Sequence, residues 1–306
     1  MFLVASLSFV LIHAAPGDPW STLAHPSITE EMRQEWRKQA GLDKPLAEQY
    51  VLYLNNVAHG NFGFSTSQHR TVGAAIADAL PNTLLLMGTA LGLSFTLGIA
   101  LGTLQAFNAG SRLDRALSAT STALAAMPPY WVGIILVMTF GYWIRIFPLS
   151  GMTDTMYAYM SPAQQILDRL QHLALPAITL TLLNAPEVAR YQRAALLEIL
   201  PEDYLRTARA KGLSERRIML RHALRNALLP TIAVLGLSFP TLVGGTVFVE
   251  AVFSWQGMGL ITVSAFGQRD YPMVVATVIT GSMVVVVGNL VADLLAAAAN
   301  PRLRTA

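Results

Sequence analysis

The chain has 306 residues, of which 53% are hydrophobic and only 13% charged, against roughly 25% charged in an ordinary soluble domain. So few charges cannot clothe a water-facing surface of this length, while so high an apolar share excludes a disordered chain. The absence of cysteine excludes a disulfide scaffold, an iron–sulfur protein and cysteine-ligated zinc, and a net charge of +3 is too small by itself to suggest a nucleic-acid partner. What remains is an all-α, polytopic membrane protein, since six spans of about 20 residues each fit with loops to spare.

Met1–Ala15 is apolar apart from His13, yet at 1.5 Å per residue it reaches only about 22 Å across a core of about 30 Å. It reads as a signal peptide, as a short span, or as a span whose start has been cut. The lack of a positively charged start weighs against the first, and we expect the third. Residues 16–79 read as a small extracytoplasmic cap. In it Thr29 leads a charged helical run, Glu30–Ala40, that Gly41 stops. A second short helix, Leu46–Val57, lines Leu46, Tyr50, Tyr53, Leu54 and Val57 on one face, and a loop follows through Gly60, Gly63 and Ser65–Gln68.

The membrane core is expected over 80–298, with a tail at 299–306. Its spans are Thr83–Phe107, Ala119–Ile144, Leu173–Tyr191, Leu228–Phe253 and Val274–Ala297. Gly88 with Gly92, and Gly98 with Gly102, have the four-residue spacing that lets membrane helices approach closely; Gly244 and Gly245 add a further small patch. Pro128, Pro129, Pro176, Pro186 and Pro240 lie in or beside spans, where neighbouring helices or a wet cavity must satisfy the backbone groups they free.

Orientation follows from Lys and Arg. Arg112 and Arg115 lie in the loop 108–118, nine basic residues lie between Arg190 and Asn226, and Arg302 and Arg304 lie in the tail. Together these are 13 of the 21 basic residues, all on one side of the alternating loops. That side is expected to be the cytoplasm.

Several chemistries are missing. None of the three lysines (38, 44 and 211) stands in a phosphate-binding G-x-x-x-x-G-K-[ST] run, so the chain has no ATPase site of its own. No H-E-x-x-H or G-x-S-x-G occurs, and the six histidines include no i, i+4 pair, so no metal or cofactor is expected in this chain. Charged residues inside spans are candidates for function. Three qualify: Glu187, spaced to pair with Arg190, Glu250 and Asp293. All three lie near span ends, where a structural role is equally consistent. A gradient-driven secondary carrier, the alternative reading, would more typically carry a carboxylate at mid-membrane.

The basic loop holds the strongest local signal. Pro201 suits the first turn of a helix running to Ala210, Gly212 suits its left-handed stop, and Ser214 can cap a second helix, Glu215–Asn226. One side of this hairpin is cationic (Arg206, Arg209, Arg216, Arg217, Arg221) and the other apolar (Leu205, Ala208, Ile218, Leu220, Leu224). It reads either as an anchor on anionic headgroups or as a docking surface. The small residues Ala208, Ala210 and Gly212 favour docking, because they permit close backbone approach.

At this loop the sequence resembles the permease subunit of binding-protein-dependent ABC importers, which carries the motif E-A-A-x3-G-x9-I-x-L-P. Ala208, Gly212 and Leu224 match it; the Glu, first Ala, Ile and final Pro do not. The departures resemble the first permease of the dipeptide/oligopeptide/nickel branch. That permease reads D-Y-x-R-T-A-R-A-K-G-L, here Asp203 to Leu213, and R-H-A-L-R-N-A-L-L-P, here Arg221 to Pro230. Further matches run in order along the chain: Pro16-Gly17-Asp18-Pro19, Gly41-Leu42-Asp43, Gly60-Asn61-Phe62-Gly63, Glu250 to Trp255 and Arg269-Asp270-Tyr271-Pro272.

The resemblance implies a six-span, type I permease in a bacterial inner membrane, paired with a second homologous permease. It implies two cytoplasmic ATPase subunits that bind ATP-Mg, and an extracytoplasmic substrate-binding protein. It assigns Tyr204–Leu213 as a coupling helix between spans four and five. Tyr204, Arg206, Thr207, Ala208, Ala210, Lys211, Gly212 and Leu213, with Arg217 and Arg221, would face an ATPase cleft, and ATP-driven closure would move them as a lever. The outer cap and the loop 254–272 would face the binding protein. The substrate, whether peptide, nickel chelate, glutathione or another solute, is not legible in this chain.

Overall fold

The computed structural model describes residues 1–14, 31 and 44–299. The readings on Ala15 to Pro19, on the Thr29–Gly41 region, on Leu42 and Asp43, and on Arg302 and Arg304 in the tail lie outside the described residues. In chain order the elements begin with helices α1 (Phe2–Ala14) and α2 (Leu46–Ala58), a two-stranded antiparallel hairpin of β1 (Phe64–Ser65) and β2 (Arg70–Thr71), and α3 (Val72–Phe107). Then come α4 (Arg112–Ala125), α5 (Pro129–Leu136) with a π-helical continuation over Val137–Trp143, and α6 (Pro162–Ile199). α7 (Asp203–Ala210) and α8 (Glu215–Arg217) follow; α8 passes through a π-helical stretch, Ile218–Ala223, into α9 (Leu224–Phe253). The last two are α10 (Met258–Gly267) and α11 (Tyr271–Ala299).

Among the described residues, α3, the Val234–Phe253 part of α9, and α11 are long and apolar enough to cross a membrane. α4 together with α5 and its continuation would make a fourth span. α1 has only 13 residues, and the expected span within α6, Leu173–Tyr191, is diluted by Asn184, Glu187 and Arg190.

Ala119–Ile144 was expected as one span. It is instead broken, with its two arms bent by 106°. The cause is local. Pro128 and Pro129 lack the N–H groups that would continue the ladder, and each restricts the residue before it to extended backbone; Pro129 then opens α5, where a missing N–H costs nothing.

The chain forms two compact units, Met1–Leu84 with Trp255–Val284, and Leu85–Ser254 with Val285–Ala306. In the first, Phe9 of α1 packs its ring 5.2 Å from Tyr50 and 5.3 Å from Tyr53 of α2, and Ser6 Oγ lies 2.6 Å from the Tyr50 hydroxyl. Tyr53, Leu54 and Val57 of α2 pack with Ala5, Val275 and Ile279, whereas Leu46, expected on the same face, is exposed. Phe2, Leu3, Leu7, Val10 and Leu11 stay exposed on α1, an apolar face suited to lipid. Asp270 is buried and fastens the β-hairpin to the start of α11: its Oδ2 accepts from Ser65 Oγ, Ser67 N and Ser67 Oγ, its Oδ1 from Met273 N at 3.2 Å.

The second unit is built on α6. A Cβ at Gly98 of α3 would lie 2.5 Å from Val188 Cβ, and one at Gly102 would run into the Ala189 carbonyl, so α3 and α6 touch backbone to backbone there. Gly88 and Gly92 face open space, so that half of the small-residue pattern makes no close approach among the described residues.

Candidate functional site: a cationic hairpin on two long helices

The basic loop folds as a hairpin hung between the end of α6 and the start of α9. Its first arm begins at Asp203 rather than at Pro201, because Glu202 still has extended backbone. The arm closes at Gly212, whose φ of +77° is the left-handed conformation that glycine adopts without strain. Gly212 N–H donates to Arg209 O at 2.9 Å and Leu213 N–H to Ala208 O at 3.3 Å, the paired bonds of a Schellman stop.

Leu205 and Ala208 point inward. They join Leu196, Ile218, Met219, Ala223 and Ala227 in a buried cluster that includes Ala106 of α3. Burying Leu205 fully contributes about 2 kcal/mol. On the second arm, Leu220 was expected on the apolar side but is 47% exposed, and Met219 and Ala223 are buried in its place. Leu220 stands two residues from Ile218, about 200° around a helix and so on its opposite side. What the π-helical winding of Ile218–Ala223 moves is the next buried position, which falls five residues on, at Ala223, where an α-helix would place it four on.

The outer face carries Tyr204, Arg206, Thr207, Ala210, Lys211 and Gly212 of the expected coupling set, with Arg217 and Arg221, all exposed; Leu213 is half-buried and Ala208 is turned into the cluster. Hydrogen bonds at the exposed surface tie the two arms together and brace the first. Arg209 Nε pairs with Glu215 Oε1 at 2.8 Å across the glycine turn, Asn226 Nδ2 donates to the Tyr204 hydroxyl at 2.9 Å, and Thr207 Oγ1 donates to Asp203 O at 2.9 Å.

Two contacts beside the hairpin escape sequence reasoning. Asp114, in the first turn of α4 ahead of the apolar run, takes both arms of Arg193 of α6, at 2.9 and 2.8 Å, and the Gly110 N–H at 2.9 Å. The Arg193 hydrogen bonds, and then the Gly110 N–H, hold its carboxyl below the ordinary carboxylate range. From the residue just before Arg193, Gln192 joins α6 to α9 by accepting the Thr231 hydroxyl at 2.7 Å. These partners stand 79 and 39 residues apart, and only the i, i+3 charge spacing of Glu187 and Arg190, which meet at 3.9 Å, was legible beforehand. Of the other charges sought within spans, Glu250 is fully buried in α9 and Asp293 is exposed on α11. No group of three or more metal-ligating side chains occurs among the described residues.

Residues 94–305 match the binding-protein-dependent transport system inner membrane component, and residues 1–87 match that system's N-terminal membrane region. The chain belongs to this family, and is thus an inner-membrane permease component of an ABC importer. It is similar to the oligopeptide transport system permease protein AppB of Bacillus subtilis, 40% identical over 98% of this chain and 94% of that one. Similarity extends to the di/tripeptide permease protein DppB of Pseudomonas aeruginosa (39%, covering 99% and 94%) and to the glutathione permease protein GsiC of Escherichia coli K12 (35%, covering 99% and 94%). Its fold matches a chain of the MetNI methionine ABC transporter with a TM-score of 0.59 at 20% identity, over 74% of this chain and 96% of that one. The family supports an ATP-driven importer and does not favour the gradient-driven carrier held as the alternative.

Proposed function

We propose that the chain carries di- or oligopeptides, or a related small solute, by alternating access, and that the hairpin at Tyr204–Leu213 couples it to separate ATPase subunits. The observation that carries this reading is the hairpin itself. Leu205 and Ala208 are spent on holding it to the permease, while a rigid, basic, small-residue face is left outward. Headgroup anchoring would need a stripe of large apolar side chains left outward, and the hairpin leaves only Tyr204, at 42% exposure, and Leu220, at 47%, one on each arm.

The assembly this implies contains a second homologous permease, two cytoplasmic ATPases that bind ATP-Mg, and an extracytoplasmic binding protein that selects the substrate, all around a lipid bilayer and without nucleic acid. The basic loops and the tail lie on the cytoplasmic side in this reading, and six spans cross the membrane. The relatives' names, oligopeptide, di/tripeptide and glutathione, support the peptide class.

Gly212 provides the test. A Cβ there would meet nothing within 4 Å, so a bulky side chain protrudes outward and leaves the chain's own packing intact; the left-handed φ adds strain of about 1–2 kcal/mol. Gly212→Trp is expected to lose ATPase co-purification and uptake of labelled peptide, whereas Gly212→Asn, which tolerates the same φ, is expected to keep both. Normal ATPase capture and uptake by Gly212→Trp would refute the docking role.

A further inference from the structure

Gln192 lies on α6, completely buried, and Thr231 faces it from α9, also completely buried. The Thr231 hydroxyl has two acceptors within reach, Gln192 Oε1 at 2.7 Å and Ala227 O at 3.1 Å, and one proton to give. The amide's own donor, Gln192 Nε2, is sealed from solvent and has no acceptor among the described residues. A buried donor left unpaired is a standing penalty on the conformation that contains it, and such groups call for an explanation. Two neighbouring contacts restrict local relief. Gly102 of α3 sits so near that a Cβ there would lie 2.8 Å from Gln192 Cβ. The next residue, Arg193, is fixed by Asp114, and Thr231 is on the helix that runs back into the hairpin.

The placement matters as much as the imbalance. Pro230, immediately before Thr231, removes a rung from α9, and the π-helical stretch at Ile218–Ala223 interrupts regular winding closer to the hairpin. These are the places where a helix bends or changes register most readily. Any displacement of the hairpin that reaches the rest of α9 therefore passes the residue that Gln192 holds.

We infer that Gln192 is a positioning residue for transport. Its amide is a latch between α6 and α9 that is incompletely satisfied in the conformation described here and gains its missing acceptor when α9 shifts, so that leaving this conformation is favoured once the hairpin is moved. The inference rests on the reading of the hairpin as the ATPase contact.

The test uses the full transporter, reconstituted with its ATPases and binding protein and given a labelled peptide. Gln192→Met keeps the volume, removes the orphaned donor and abolishes the bond to Thr231. It is expected to leave the melting temperature of the complex unchanged or about 2 °C higher, to lower the kcat of uptake about tenfold, and to leave KM unaltered. Thr231→Val is expected to lose a similar share of kcat, and Thr231→Ser, which restores the hydroxyl, to regain it. Uptake by Gln192→Met at the natural rate would overturn the inference, as would a fall in uptake matched by a fall in melting temperature, which is the mark of a purely structural residue. Should Gln192→Met fail to assemble, the Thr231 pair decides: equal uptake by Thr231→Val and Thr231→Ser overturns the inference. ATPase co-purification separates the two readings, since failure of the docking assignment appears as ATPase capture that ignores Gly212→Trp, and failure of the latch as normal uptake by these variants.

Discussion

Arg193 spends both guanidinium arms on one carboxylate, and that makes it unlike the other arginines of the basic segment. Arg206 and Arg190 make single, longer contacts at 3.4 and 3.9 Å from exposed positions, the sort of surface pair whose net contribution is small. Asp114 is buried, so losing Arg193 would strand its charge. Arg193→Ala is therefore expected to lower the melting temperature of the purified chain clearly more than Arg190→Ala does. The pair also has a sign with pH. The folded-state value of Asp114 is depressed, so its stabilisation is fully present above the ordinary carboxylate range and is lost as pH falls through the lowered value. Asp114→Asn is expected to flatten the acid limb of a melting-temperature profile and to leave its neutral region lower. Neither residue stands out in the sequence, because a charge pair formed across 79 residues is set by helix packing and leaves no local periodicity.

Among the elements, the long apolar runs of α3, α9 and α11 and the glycine stop of α7 were legible, since both are properties of consecutive residues. The 106° break at Pro128 was legible as a pair of prolines but not as an angle, which depends on where the two arms pack. The shifted stripe on the second arm was hidden for a related reason: π-winding inserts one residue into the turn, so the buried position after Ile218 falls at Ala223 and not at His222. Small-residue spacing likewise marks helices that can approach without saying which do. Gly102→Ala should force α3 off the Ala189 carbonyl at a cost of about 1–3 kcal/mol. Gly92→Ala meets open space, and its helical backbone gains about 0.5–1 kcal/mol. Thermal unfolding of the two variants in detergent, compared with the natural chain, checks both signs.

For the whole molecule, the energy source is the decisive property. The chain belongs to a family of ABC importer components, and no lysine in it sits in a phosphate-binding loop. Uptake in sealed vesicles is accordingly expected to stop when ATP is withheld and to continue when a protonophore collapses the proton gradient; the opposite pattern would return the secondary carrier to consideration. The stapled turn at Gly212 bears on the pace of this cycle. Arg209 and Glu215, the buried Leu205 and the Schellman bonds have already removed most of the hairpin's conformational freedom before any partner arrives. Ordering entropy is a major opposing term in association, and here little of it is left to lose. If the hairpin docks as proposed, contact with an ATPase is made and broken at each turnover without folding and unfolding the surface that makes it.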